Sequence, residues 1–406
     1  MMNVLYTIFL ITYSIGCFFG TAFCHIGYFG FLGTALLQFC SDVQLRITFK
    51  QFFKPNKIWL PAIFIVVIAF CGVFYSGAPQ IIRWAIFTKY VRFLSIFLLI
   101  PCFIHNKSLT RKFIHYFCLA TFAYCVWYYF MGEEKIRLVN SIHSSVFVAC
   151  CSLFALNVLF FSKKSTKLFP WIWFSFFLYF LLCINPEKTG PMAFTVAFTV
   201  AFTVALSKTT LRKTLGIVFI SISGILLLAL YRPSVLMQRF GITNGITNLT
   251  KTTSISERIQ MMKSCFTLIQ EKPMFGHGTG SFGYELKQHG MTYMGYNFSN
   301  KKANPMVVRT AHPHNEWLLW LVQWGSLGFM AGCLWFGWIL VYLIKNRKMG
   351  FCLLMQGICL NIIFIMSGCC EAIFFTTIPQ SFYLMALCAC IGAIEQRKIK
   401  PKRLYS

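Results

Sequence analysis

Acidic side chains are scarce in this chain: 10 Asp and Glu stand against 37 Lys and Arg, for a formal net charge of +27. There is no C-x-x-C pair, and neither an H-E-x-x-H helix nor an aspartate pair, so nothing in the spacing suggests a zinc clamp or a metal cage. Alternating apolar and polar segments are absent, which argues against a β-barrel. The first apolar segment has neither a basic start nor an A-x-A exit, so it reads as a retained helix rather than a cleaved signal. Only one long polar stretch exists, which excludes an ordinary soluble globule. No basic domain stands clear of the apolar segments, so the positive charge reads as a topology signal before a nucleic-acid patch.

What the chain has is hydrophobicity: 57% of residues are apolar or aromatic. Mostly apolar runs long enough to cross a bilayer recur. Twelve can be read, at about 4–23, 24–40, 58–77, 84–105, 113–131, 144–161, 169–184, 191–206, 214–231, 317–344, 351–369 and 379–395. The expected architecture is therefore all-α and polytopic, with about 12 transmembrane helices. Residues 1–231 form a bundle of about nine helices and 232–316 a large outer loop with short helices. Residues 317–395 supply helices ten to twelve, and 396–406 a basic tail. Short connections near 46–57, 107–112, 163–167, 208–213, 345–348 and 397–403 carry most of the Lys and Arg. By the positive-inside rule these face the cytoplasm, which puts both termini inside. Most of the 18 cysteines lie in apolar segments and read as small core hydrophobes.

Arg92 falls about two turns into the fourth segment, where a charge either snorkels or has a function. An AFTV tandem repeat over Ala193–Val204 reads as helical filler. In the polar stretch, Ser254-x-x-Glu257 is a capping box, with Ile255, Ile259, Met262, Phe266 and Ile269 at helical spacing before Pro273. Arg258 in its first turn makes the helix start favourable for an anion. Gly278-x-Gly280-x-x-Gly283 copies the dinucleotide fingerprint, but no strand or βαβ unit surrounds it. A tight turn returning the chain to the membrane surface is the better reading.

The densest polar cluster is His312-Pro-His-Asn-Glu-Trp-Leu, with Arg309 just upstream. It opens the longest apolar run, whose 28 residues from Trp317 to Ile344 span about 42 Å, more than a ~30 Å hydrocarbon core. Its start should therefore project from the membrane. Trp317, Trp320 and Trp324 share a face and read as an aromatic belt. The two histidines could hold a metal, but a loop offering arginines and few carboxylates suits a phosphate-bearing substrate better.

These motifs resemble the O-antigen ligase and O-antigen polymerase superfamily of bacterial inner-membrane glycosyltransferases. The resemblance rests on Ser254-x-x-x-Arg258, on Glu271-Lys-Pro-Met-Phe-Gly276-x-Gly-x-Gly-x-Phe282, and on His312-Pro-His-Asn-Glu-Trp-Leu running to Gly325-x-x-Gly328. It covers 254–330 closely and the remainder in architecture. It implies a GT-C-like membrane fold and an undecaprenyl diphosphate-linked glycan donor. The glycan passes to an acceptor hydroxyl on the periplasmic side without nucleotide sugar, metal or other cofactor. It implies His314 as general base and Arg258 as the catalytic cation, with Arg309, Lys188, Asn315, His312 and Arg92 as substrate-binding candidates. Where the family has a Ser-Arg pair after a Thr-Gly turn, this chain has Pro191-Met192 after Thr189-Gly190, and Lys188 is the nearest cation. The expected function is ligation of O-antigen to lipid A-core. Repeat-unit polymerisation and protein O-oligosaccharyl transfer are the alternatives. A transporter is disfavoured by the shortage of mid-membrane charge and of paired broken helices.

Overall fold

The computed structural model describes residues 2–131, 141–161, 168–184, 189–208, 254–293, 296–297, 308 and 311–402. Within them the chain is a multi-pass, all-α membrane protein. The first four helices are α1 (Met2–Phe19), α2 (Thr21–Ser41), α3 (Val43–Phe53) and α4 (Trp59–Tyr75). Next come α5 (Gln80–Val91) and α6 (Ile96–His105), joined by a 3-10 turn, then α7 (Lys107–Met131) and α8 (Ser141–Phe161). α9 (Leu168–Tyr179) ends in a π turn and is followed by α10 (Thr189–Lys208). α11 (Ser254–Glu271) and α12 (Phe282–Gln288) lie in the polar stretch. α13 (Glu316–Lys345), α14 (Phe351–Gly368) and α15 (Thr377–Lys402) close the bundle. A two-residue hairpin pairs Thr292–Tyr293 with Tyr296–Asn297.

Eight helical segments are long and apolar enough to cross a membrane, and three shorter apolar helices accompany them. Together they account for eleven of the twelve expected spans; the ninth, 214–231, lies outside the described residues. The expected short second span is a full helix, α2. An unexpected one, α3, begins where the Asp42 carboxylate accepts the amides of Gln44 (2.8 Å) and Leu45 (3.3 Å). That N-cap stops the chain from running straight on from α2.

The AFTV repeat has a packing role. Four residues overshoot a helical turn by only about 40°, so Ala193, Ala197, Ala201 and Ala205 all fall on the buried face of α10. Phe194, Phe198 and Phe202 stack along its flank at 5.8 Å spacing. Thr195, Thr199 and Thr203 turn their hydroxyls back onto carbonyls four residues earlier, which satisfies them without a partner helix.

α13 is not continuous. Gly325 has φ +61, and the ladder breaks there. The 20 residues after the break, 326–345, are about 30 Å long, a bilayer core. A break leaves amides and carbonyls unpaired, which is expensive where water is excluded. Here the segment between α11 and α12 supplies four partners. The amides of His277 and Gly278 donate to the Val322 and Gln323 carbonyls (2.8 and 2.7 Å). In return the Ser326 and Leu327 amides donate to the Pro273 and Met274 carbonyls (2.8 and 3.5 Å). The glycines read as a tight turn thus insert into a helix. Gly276 just before that turn and Gly325 on α13 both take positive φ where a Cβ would strike backbone, 2.5 Å from the Gln323 carbonyl carbon at Gly276 and 2.4 Å from Met274 at Gly325. Thr279 fastens the insert to α4, donating its hydroxyl to the Ala69 carbonyl (2.6 Å) while accepting from the Trp324 indole (2.9 Å).

Two expectations need correction. Trp320 and Trp324 are fully buried rather than part of an interfacial belt, because the insert and α5 cover them; Tyr90 meets Trp324 edge-on at 4.6 Å. On α11 the packed side chains are Met261, Cys265 and Leu268, whereas Ile259, Met262 and Phe266 of the sequence stripe are exposed. The helix presents that stripe away from α13.

His277 is buried in the insert, donating Nε2–H to the Leu268 carbonyl (2.8 Å) with Nδ1 3.5 Å from Glu285. Burial pulls its pKa down, but Glu285 and the Leu268 carbonyl outweigh it and hold the net value above the ordinary one. The protonated imidazole therefore contributes stability that is full below about pH 6.5 and is lost as pH rises through the elevated folded-state value. Thermal unfolding midpoints should fall between about pH 6 and 9 in the wild type and stay flat in His277→Gln. Gly325→Ala should lower the midpoint strongly, by several degrees, whereas Gly337→Ala, with open space around its Cβ, should leave it unchanged.

Candidate active site

The insert fixes the first turns of α13, and these hold the polar cluster. Asn315 caps the helix, its Oδ1 accepting the Leu318 amide at 2.9 Å while Nδ2 donates to the Cys369 carbonyl at 2.9 Å. Glu316 is buried, and its Oε2 accepts the amides of Phe374 (2.8 Å) and Phe375 (3.2 Å). Two neighbouring residues thus bind the loop between α14 and α15 to the start of α13. His314 has φ +48, a left-handed backbone that is uncommon outside glycine. That conformation directs its ring toward the same loop.

There it meets Glu371. His314 Nδ1 lies 2.8 Å from Glu371 Oε2, and His312 Nδ1 lies 3.4 Å from Oε1. The carboxylate is almost inaccessible, with 1% exposure against 15% and 18% for the two imidazoles. A buried carboxylate is costly unless paired. Burial pushes the Glu371 pKa up, but the His314 hydrogen bond and the imidazole charges prevail and hold it below the usual range. Burial pulls His312 down to about 4, with Lys89 acting in the same direction, so His312 is neutral at neutral pH. An ionised Glu371 accepts a hydrogen bond from His314 Nδ1–H, which fixes the ring and its tautomer. The three donors lie within 4.8 Å of one another and could also hold a divalent ion.

Around this pair the fold gathers cations. Lys89 sits 3.7 Å above the Phe375 ring. Arg258 is exposed in the first turn of α11. Burial pushes the thiol of Cys370, the residue before Glu371, upward, while the nearby Arg258 charge acts the other way. Arg258 thus comes near Cys370, at the edge of the loop that carries Glu371. Arg92 is engaged elsewhere in the wall, donating to Thr377 Oγ1 at 2.9 Å and approaching Gln380 Oε1 at 3.5 Å. That ties α5 to α15 instead of snorkelling. Arg309 and Lys188 lie outside the described residues. Asn315 has both ends of its amide occupied by the fold.

Three neighbours escaped the sequence reading. Glu371 is 57 residues from His314, with no spacing rule to link them; its one signal is being the only charge in the connection between the last two spans. Lys89 was visible only as a charge at a helix end. His143, whose Nε2 lies 3.4 Å from Thr376 Oγ1, could have been found as an ionisable residue inside an apolar segment.

The fold and site together define a polytopic membrane protein with a carboxylate-bound histidine and cations at one end of the bundle. Residues 173–333 match the family described as O-Antigen ligase. The match covers less than half of the chain and includes Arg258 and His314, so the resemblance to the O-antigen ligase and polymerase superfamily stands. Glu371, Lys89 and His143 lie outside the matched segment. No curated protein matches the chain.

Proposed function

We propose that the chain is a glycosyltransferase that moves a glycan from undecaprenyl diphosphate to lipid A-core. It would act in the bacterial inner membrane, with the site facing the periplasm and both termini in the cytoplasm. The observation that carries this reading is the 2.8 Å contact between His314 Nδ1 and the buried Glu371. It orients the His314 ring on a fixed carboxylate, and His314 would act as the base through Nε2. The acceptor hydroxyl gives its proton to Nε2 as its oxygen attacks the anomeric carbon. The bond from that carbon to the diphosphate oxygen breaks, and the electron pair leaves with the diphosphate. Developing negative charge on the leaving group needs cations more than a strong acid. Arg258 supplies a forked donor, and Lys89 and Arg309 add positive charge. Lys188 would take the place of the arginine missing after Gly190, as a point charge. His312, neutral and half-buried, would orient the acceptor side.

His314→Asn tolerates the left-handed backbone and should abolish transfer at normal membrane levels, as should His314→Ala and Arg258→Ala. Glu371→Gln should slow transfer by roughly 10²–10⁴-fold, the usual worth of a positioned base. Wild-type lipopolysaccharide ladders in these variants would overturn the assignment. A deletion strain separates the acceptors. Long lipid-linked polymer with uncapped lipopolysaccharide marks a ligase, and single-repeat caps mark a polymerase. Intact lipopolysaccharide with unglycosylated pilin marks protein transfer.

Transfer by the purified protein should persist in excess EDTA, because an ion between His312, His314 and Glu371 would consume the lone pair that the base needs. Loss of activity on chelation and recovery with added metal would reassign those three residues as ligands.

A further inference from the structure

At the end of the bundle opposite His314, five helices leave a cavity that the reaction above does not use. α14 runs from one to the other: Leu353 in its first turn lines the cavity, and the residue after its last turn, Cys369, accepts the Asn315 amide. The cavity measures about 570 Å³, within the range of small-molecule sites. Its walls are mainly apolar, with Ile114, Phe154 and Phe177 from α7, α8 and α9, and His115, Gln356 and Gln396 add polar groups. Its mouth carries Lys107 and Arg111, one helical turn apart on α7, and Arg397 on α15. All three are exposed, and none forms an ion pair among the described residues. No acid lines the cavity. The nearest in sequence to Arg397, Glu395, is held by Lys398 and by the Tyr342 hydroxyl.

Three cations ringing an apolar shaft between membrane helices are complementary to an anionic headgroup with an acyl chain beneath it. A soluble anion would use the cations and leave the shaft empty of a partner; a neutral lipid would do the reverse. From Lys107 to Cys118, which also lines the cavity, α7 rises about 16 Å, which seats the upper part of an acyl chain. We propose that this cavity is a binding site for one anionic glycerophospholipid of the leaflet at the basic end of the bundle. It is separate from the glycan-transfer site and does not rest on that assignment.

The test uses the full chain, purified from nanodiscs containing phosphatidylglycerol and phosphatidylcholine in equal amounts, with retained lipid read by native mass spectrometry. The wild type should retain one phosphatidylglycerol in preference to phosphatidylcholine. Replacing Lys107, Arg111 and Arg397 together by Gln should reduce that retention by at least about tenfold. The matched replacement of Arg46, Lys50 and Lys54 on and beside α3 should leave it unchanged. Ala155→Trp, which fills the shaft and alters no charge, should also expel the lipid; with Arg111→Gln alone it gives the same reading if the triple variant fails to fold. Equal retention of the two lipids, or equal loss from the control variant, would overturn the proposal. So would displacement of phosphatidylglycerol by millimolar inorganic phosphate, which would mark a site for a free anion.

Discussion

The interruption of α13 at Gly325 is the constraint on which the rest of this structure depends. A helix broken among apolar neighbours must recover its backbone hydrogen bonds from protein, because lipid offers none. The 273–278 segment recovers four of them in a reciprocal arrangement with residues 322–327. That arrangement ties α11, α12 and α4 to α13 in one place. It buries Trp320 and Trp324, and it sets the direction in which residues 316–324 leave the bundle. The position of His314 follows from it.

The second layer is electrostatic. A nearly inaccessible carboxylate at Glu371 needs hydrogen-bond donors, and His314 Nδ1–H and the Ala372 amide provide them. The arrangement survives because Asn315 and Glu316 lash the 369–375 backbone to the helix start through their side chains. The four polar residues between His312 and Glu316 therefore divide into two kinds. His312 and His314 face Glu371, while Asn315 and Glu316 hold the platform. Their adjacency in sequence gives no hint of that division, since all four polar side chains look equally suited to substrate.

How far the sequence reveals this depends on the range of the interaction. The spans were legible because a run of about twenty apolar residues has few other uses. The start of α11 at Ser254 and its end before Pro273 were legible because capping and proline act locally. Glu371 was not, since only folding brings it 57 residues back to His314. The break in α13 was equally hidden: Gly325 sits in a run that is helical by every local measure, and its partners lie about fifty residues earlier. Trp320 and Trp324 share a face by periodicity, but periodicity does not say whether lipid or protein covers that face. The two conspicuous motifs, one around Gly276 and one around Gly325, are two halves of a single joint.

The four-residue period of α10 bears on how this protein can vary. Each AFTV unit places an alanine inward and a threonine that satisfies its own hydroxyl, so no unit depends on a particular neighbour along the helix. Gain or loss of one unit would change the length by about 6 Å and turn the far end by about 40°, leaving the inward face alanine throughout. The length of this helix is thus a modular quantity. It can be lengthened or shortened in whole steps to suit a thicker or thinner bilayer, without rewriting the surface that packs against α8 and α14.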